Sequence, residues 1–259
     1  MAVAPTTIVE ESTFAPRLVE MGRDALEVMV AAGEEVIEIE RILAKTEDNV
    51  VGELLKGQGT FYEWNHYPDG DVYDPDTGGQ FFYHAHPADE RIGEHGHFHT
   101  FLRPAGMPAG VRPATVPDLQ LPKDENDALS HLIGIAMDSW GKATCLFTTN
   151  RWVTGEIWYG AEDVIAMAEL FEIGHTQPSW PVNRWLNAMF RLYLPEITAL
   201  VRERDTTVGA WENQPLPDDE ETGAPVSSLF ENRELEVTSY LNISVPDRLA
   251  AAISALEEA

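Results

Sequence analysis

The sequence predicts an α+β protein, in which an antiparallel β-sheet, open or barrel-like, is flanked by N- and C-terminal helices. Two observations favour this class. Apolar residues recur at helical spacing in both terminal regions, 15–44 and 246–257, whereas short aromatic or alternating segments occupy the middle of the chain. The middle strands lack a core without the terminal helices, so residues 1–259 are predicted to form a single domain.

The N-terminal part of the chain is predicted to contain two helices and one strand. The first helix spans 15–44, with Gly33 as a point where it divides into two, and a short helix follows over 48–56. The aromatic segment 61–67 is typical of a strand. Residues 68–79 are dense in Pro, Gly and Asp and are predicted to form turns.

The C-terminal part begins with a predicted loop over 103–123, which contains five prolines. A loop of this length is expected either to form a rim beside a functional site or to link domains. The elements predicted after it are strands over 132–137 and 144–149, either a third strand or the approach to a helix over 152–159, helices over 161–173 and 181–204 with a kink or restart at Pro195, a loop over 205–228, a strand over 234–244 and a helix over 246–257.

The amino-acid composition limits the classes of expected binding partner and the expected cellular compartment. The chain has 44 acidic against 17 basic residues and a net charge of −27, which excludes nucleic acid and anionic membranes as expected partners. The expected partner is a small-molecule substrate, and the sequence leaves a homo-oligomer open. A single cysteine, Cys145, and the lack of a basic leader or a long apolar segment predict a cytoplasmic location.

Five of the eight histidines lie in one aromatic segment, 81–101, which is predicted to form a β-hairpin. Side chains at i and i+2 of a strand share a face. His84 and His86 therefore point the same way, and so do His97 and His99. The hairpin is expected to place four imidazoles together on one face.

Neutral imidazole is a common ligand for Zn, Cu, Fe and Ni, so this cluster predicts a site for a divalent transition metal. Iron is the first choice, and zinc or copper are alternatives. Glu90 and Glu94 are expected to complete the coordination or to act as catalytic carboxylates, and Tyr83 and Arg91 to orient substrate. The predicted metal ligands are His84, His86, His97 and His99, with His95 as a further candidate of the same parity.

Residues 78–96 resemble the first metal motif of the cupins. Gly78, His84, His86, Glu90 and Gly96 give the pattern G-x5-H-x-H-x3-E-x5-G, which is one residue short before the last Gly. The second cupin motif is not found downstream, and the further histidines come immediately after the first. The resemblance therefore implies shared chemistry, imidazoles on adjacent strands around one metal, and no family is assigned from it.

These patterns favour a mononuclear non-haem metal-dependent oxidoreductase. A zinc-dependent hydrolase, in which a glutamate acts as base toward a metal-bound water, is one alternative. A non-catalytic metal-binding, carrier or sensor protein is another, and a purely hydrogen-bonded histidine network is a third. His66 is weighed as a ligand from a neighbouring strand, whereas His131 and His175 are isolated in the sequence and are placed outside the site.

Overall fold

The fold is α+β, as predicted, in a computed structural model that describes residues 17–87, 90–91, 93–116, 119–211 and 228–259. The helices are α1 Arg23–Ala44, α2 Val50–Leu55, α3 Arg151–Thr154, α4 Ala161–Ala168, α5 Trp180–Trp211 and α6 Val245–Glu258, and the strands are β1 Tyr67–Tyr73, β2 Gly79–His84, β3 Gly96–Leu102, β4 Ser130–Met137, β5 Ala143–Thr149 and β6 Val237–Asn242.

The six strands form one antiparallel sheet in the order β1–β2–β3–β4–β5–β6. The sheet is open, with β1 and β6 at its edges, so the barrel-like alternative is wrong. The composition of β1 accounts for this, because Pro68 and Gly70 suit an edge strand better than a strand paired on both sides.

One face of the sheet and the long helices enclose the main hydrophobic core. Helix α1 packs against α5 and α6, and α5 also contacts β5 and β6. The sheet contributes Phe81, Phe98 and Ile133, and the helices contribute Leu26 and Trp185, whose ring centroid lies 5.8 Å from that of Phe98. Because side chains alternate along a strand, the neighbours of these core residues point to the opposite face, which carries the histidines.

Three segments of the N-terminal part differ from their sequence-based assignments. The strand predicted over 61–67 begins only at Tyr67, and the segment predicted as turns supplies β1 itself. An edge strand tolerates the Pro, Gly and Asp residues that indicated turns, and β1 has a register shift between Tyr67 and Val72. Helix α1 begins at Arg23 and runs through Gly33 without division, and Gly33 packs closely against Leu249 of α6 and Leu192 of α5.

The C-terminal part also departs from prediction in three places. Of the two alternatives for 152–159, the strand is wrong, because residues 151–154 form α3 and those that follow are irregular up to the start of α4 at Ala161, which fits the approach to a helix. Helix α5 continues past Pro195 to Trp211, since buried side chains on both sides of the proline pack into the same core, and 205–211 is therefore not a loop. The rest of that predicted loop, 212–227, lies outside the described residues. Helix α6 confirms the predicted C-terminal helix.

Gly33 provides a test of the helix packing. A Cβ at this position would lie 2.9 Å from Leu249 Cδ1, 3.2 Å from Leu249 Cβ and 3.3 Å from Leu192 Cδ1. We expect Gly33→Ala to lower the free energy of unfolding, because overpacking costs about 1–3 kcal/mol and outweighs a gain in helix propensity of about 1 kcal/mol. Urea denaturation measures the difference.

Gly209 is the matched control, because it is also helical but a Cβ there meets nothing within 4 Å. Gly209→Ala is expected to stabilise the chain by up to about 1 kcal/mol. If both substitutions stabilise the protein equally, the close contact between α1 and α6 is not as described.

Candidate metal centre

The predicted hairpin is confirmed as β2 and β3, and it brings three imidazoles together. His84 pairs with His97 across the two strands, and Phe82 pairs with His99. The ring centroids of His84 and His97 are 4.5 Å apart, and those of His97 and His99 are 4.8 Å apart. One potential ligand atom from each of the three rings lies within 4.8 Å of the others. We call these residues the triad; the described part of the chain has no other group of three or more such ligands.

The triad is set in an apolar environment. His97 and His99 are each only 1% exposed, and His84 is partly buried. The Phe147 ring on β5 lies 5.3 Å from the His97 ring and 5.8 Å from the His99 ring. Burial lowers the pKa of His84 to about 3 and the pKa values of His97 and His99 well below the ordinary value. All three imidazoles are therefore neutral at pH 7, which is the form that coordinates metals.

The closest contact in the triad joins His84 Nε2 and His97 Nε2, which are 2.6 Å apart. Two ring nitrogens at this distance need a proton between them. Nitrogens bound about 2.0–2.1 Å from one tetrahedral ion lie about 3.3 Å from each other. A metal ion replacing the shared proton would thus need the two rings to separate by a fraction of an ångström, so the arrangement fits a metal after a small adjustment.

The other ring nitrogens of the two buried histidines are held by neighbours. His97 Nδ1 lies 2.5 Å from Glu94 Oε1, and His99 Nδ1 lies 2.9 Å from His131 Nε2. Such contacts fix the orientation of each ring and leave its Nε2 atom to bind a metal. Metal-bound histidines commonly have a hydrogen-bond partner of this kind on the other ring nitrogen. Glu94 is thus placed beside a triad member on the side of Nδ1. Burial raises the pKa of Glu94, and Arg91 opposes that rise.

His86 and Glu90 lie at the margin of the triad. The His86 ring is 5.1 Å from the His84 ring and 5.2 Å from the His97 ring, and it follows the last residue of β2. Its Nδ1 atom is 3.4 Å from Glu90 Oε2. Burial lowers the pKa of His86 to about 4. Among the predicted ligands outside the triad, His86 is the one whose ring lies beside two triad members.

Tyr83 and His95 are not brought to the triad. Tyr83 is fully buried in the main core, because odd positions of β2 face the helices. Its hydroxyl bonds His95 Nδ1 at 2.7 Å. His95 precedes β3, where strand alternation does not yet hold, and it is exposed.

Arg91 fastens the β2–β3 connection over the histidine face. Its guanidinium forms an ion pair with Glu236, next to β6, and lies 3.7 Å from Glu94 Oε2. It also lies above the Phe147 ring, at 5.7 Å from the centroid. Among the described residues, its contacts are thus with two carboxylates and one ring, which gives it a role in holding its part of the chain over the site.

His131 is a functional candidate that sequence reasoning missed. Phe101 pairs with His131 while Thr100 pairs with Ile133, so Leu132 is an extra residue in β4. This bulge shifts the alternation and turns His131 onto the histidine face. The imidazole is buried, and burial lowers its pKa to about 3. The sequence offered no signal for the bulge, and a lone histidine in an apolar segment was therefore left out.

Glu156 stabilises the backbone of this bulge through a hydrogen bond. Its Oε2 atom accepts a hydrogen bond of 2.6 Å from the His131 backbone N–H, and its Oε1 atom is buried without a partner. Burial raises the pKa of Glu156 to about 8. A chain of contacts therefore leads from Glu156 through His131 to His99.

The other two histidines, His66 and His175, make contacts that suit a structural role. The His66 ring stacks on Phe82 at 3.6 Å and lies 5.8 Å from the His84 ring, and its Nδ1 is 3.0 Å from Asp71 Oδ1. His175 Nε2 lies 3.2 Å from the Tyr73 carbonyl oxygen, away from the hairpin.

The described residues of the proline-rich segment, 103–116 and 119–123, are irregular apart from a short 3-10 helix, and several of their apolar side chains pack into hydrophobic clusters. Met107 and Val111 contact the main core, and Ala114 and Val116 contact a small cluster that contains Trp158. The described residues that contact the histidine rings include instead Trp64, against His86, and Glu94, against His97. The expectation that the proline-rich loop forms the rim of the site is not supported by these contacts.

The chain belongs to the family described as a domain of unknown function, DUF6969, whose model matches residues 30–243. The match includes all six strands and the triad. Searches of curated proteins and of solved structures gave no match. No helix among the described residues is long and apolar enough to cross a bilayer.

The buried His131 provides a pH test on the metal-free protein. Unfolding returns its pKa from about 3 to about 6.5, so the unfolded chain takes up a proton that the folded chain excludes. The stability associated with the neutral ring is complete above pH 6.5 and is lost as the pH falls toward 3. We expect His131→Gln to reduce the slope of unfolding free energy against pH by up to about 1.4 kcal/mol per pH unit.

Urea denaturation of both proteins in a chelating buffer between pH 4.5 and 7.5 measures this slope. Identical slopes for the variant and the parent would mean that His131 has an ordinary pKa in the folded protein.

Proposed function

We propose that the protein is a mononuclear non-haem metal enzyme that oxidises a small-molecule substrate, with His84, His97 and His99 as the metal ligands. The observation that carries the proposal is the convergence of three neutral imidazoles, two of which have their Nδ1 atoms held by neighbours. Three protein ligands leave positions for substrate or water, as catalytic sites require. His86 is the nearest further ligand.

Iron(II) is the first choice, and zinc and copper are alternatives. Imidazole ligands suit all three, and no thiolate belongs to the cluster. When bound, the metal would supply a Lewis acid and, for iron, a one-electron redox couple. The apolar rings of Phe82 and Phe147 limit water around the histidines, which protects reactive species.

The chain's own residues would hold the ligand rings in position and balance the charge of the ion. Three neutral ligands leave the charge of a dication uncompensated, and Glu94 is the carboxylate in contact with a triad ring. Glu94 would hold the His97 ring in place by accepting a hydrogen bond from its Nδ1–H. Arg91 would keep Glu94 in position by bridging it to Glu236.

A zinc-dependent hydrolase remains the second candidate, because three histidines with an open fourth position are also a catalytic zinc arrangement. Glu90, beside His86, would then serve as the base toward water, since Glu94 is held on the Nδ1 side of His97. A non-catalytic carrier or sensor would follow if His86 closed the shell. A cytoplasmic location and a small-molecule partner, rather than nucleic acid or membrane, are part of the proposal and are supported by the acidic composition and the single cysteine.

Elemental analysis of protein purified without a tag or added metal tests the site. We expect about one ion per chain, and we expect the double variant His97→Ala with His99→Ala to lose it, because only one ligand of the triad remains. His175→Ala is the matched control, since His175 contacts a backbone carbonyl outside the site. Stoichiometric metal in the folded double variant would place the site elsewhere.

Glu94→Gln tests the role of the carboxylate. An amide can still contact His97 Nδ1 but brings no charge, so we expect metal affinity to fall by about 10- to 100-fold. Competition with a chromophoric chelator measures the affinity. Glu90→Gln, beside His86 at the margin, is the comparison and should change the affinity less. Equal losses in the two variants would remove the special role of Glu94.

A further inference from the structure

The triad is more accessible from one side than from the others. His97 and His99 are sealed in, whereas His84 retains some exposure. The rings around His84 on this side are those of His66, at 5.8 Å, and His86, at 5.1 Å. A substrate would therefore reach the ion past these two imidazoles, along the β1 and β2 edge of the sheet.

Trp64 stands at this approach. Its ring centroid lies 4.2 Å from that of His86, yet the residue is 54% exposed. Tyr62, two residues earlier, is 60% exposed. The contacts of 4.2 Å from Trp64 to His86 and 5.1 Å from His86 to His84 place the indole one imidazole ring away from the triad.

The backbone of Trp64 is held in an unfavourable conformation. Its φ angle is +68°, in the left-handed region that favours glycine and asparagine. The conformation is imposed by contacts on both sides, since Trp64 N–H donates to the Ala85 carbonyl at 2.9 Å and Tyr62 N–H donates to the Tyr67 hydroxyl at 2.6 Å. A large indole at a strained and exposed position gains little for folding, which points to a role in binding.

The aromatic residues at the two ends of this segment, Phe61 and His66, each stack on another ring. Phe61 stacks on Tyr67 at 4.9 Å, and His66 stacks on Phe82 at 3.6 Å. These contacts anchor the two ends of the segment 61–66 and leave Trp64 projecting between them. The segment is thus built to present one indole beside the approach to His84.

We propose that Trp64 contacts the substrate and selects a planar aromatic ring that carries oxygen donors, of the phenol or catechol class. This inference rests on the proposed function. The indole would stack against the ring, and the oxygens would reach toward the ion at the triad. A neutral ring suits the surroundings, because Arg91 is paired with Glu236 and the chain carries a net charge of −27.

The test compares two oxygen chelators that differ in the ring. Iron(III)-loaded protein is titrated with catechol and, separately, with acetohydroxamate, and binding is followed by the visible charge-transfer band. We expect Trp64→Ala to weaken catechol binding by about 10-fold, because aromatic stacking is lost, and to change acetohydroxamate binding by less than about twofold. Trp64→Phe should retain most of the catechol affinity.

Trp180→Ala is the matched control. Trp180 is 57% exposed at the start of α5, where Arg184 lies over its ring, and its removal should change neither affinity. Equal weakening of both chelators in Trp64→Ala, or no weakening of catechol, would overturn the assignment of Trp64. A parent protein that holds no metal would overturn the proposed function as well, and elemental analysis before the titration separates these outcomes.

Discussion

The burial of His97 and His99 within the histidine face is the constraint on which the candidate site depends. A buried ring nitrogen without a partner is costly, so each must be hydrogen-bonded or bound to a metal. Glu94 and His131 satisfy the two Nδ1 atoms, and His84 shares a proton with His97. Desolvation keeps the imidazoles neutral, so burial both creates the demand for partners and prepares the rings as ligands.

The two faces of the sheet have different roles: one packs against the helices, and the other carries the histidines. Core side chains and imidazoles alternate along β2 and β3, with Phe81 and Phe98 packing toward the helices while His84, His97 and His99 point the other way. The strand backbone that carries the ligands is therefore fixed by the hydrophobic core on its reverse side. A site built on paired strands holds its geometry better than one built on loops.

The charged groups near the triad belong to residues that are not themselves proposed metal ligands. Arg91 connects Glu94 to Glu236 and so joins the β2–β3 connection to β6, at the far edge of the sheet. Glu156 is buried on the other side, where it holds the backbone of His131. A dication among neutral imidazoles would therefore be flanked by carboxyl groups whose pKa values burial has raised, and its arrival would favour their ionised forms.

The sequence by itself determined the α+β class, the terminal helices, the hairpin and the shared face of His84, His97 and His99, because these follow from local periodicity. It also assigned β1 too early in the chain and left 152–159 open between a strand and the approach to a helix, since edge position and packing override local propensity. Only the tertiary structure decided that His131 joins the cluster and that His95 does not. A one-residue bulge in β4 and the irregular backbone before β3 shift the alternation there, and such shifts are set by pairing with neighbouring strands rather than by any local pattern.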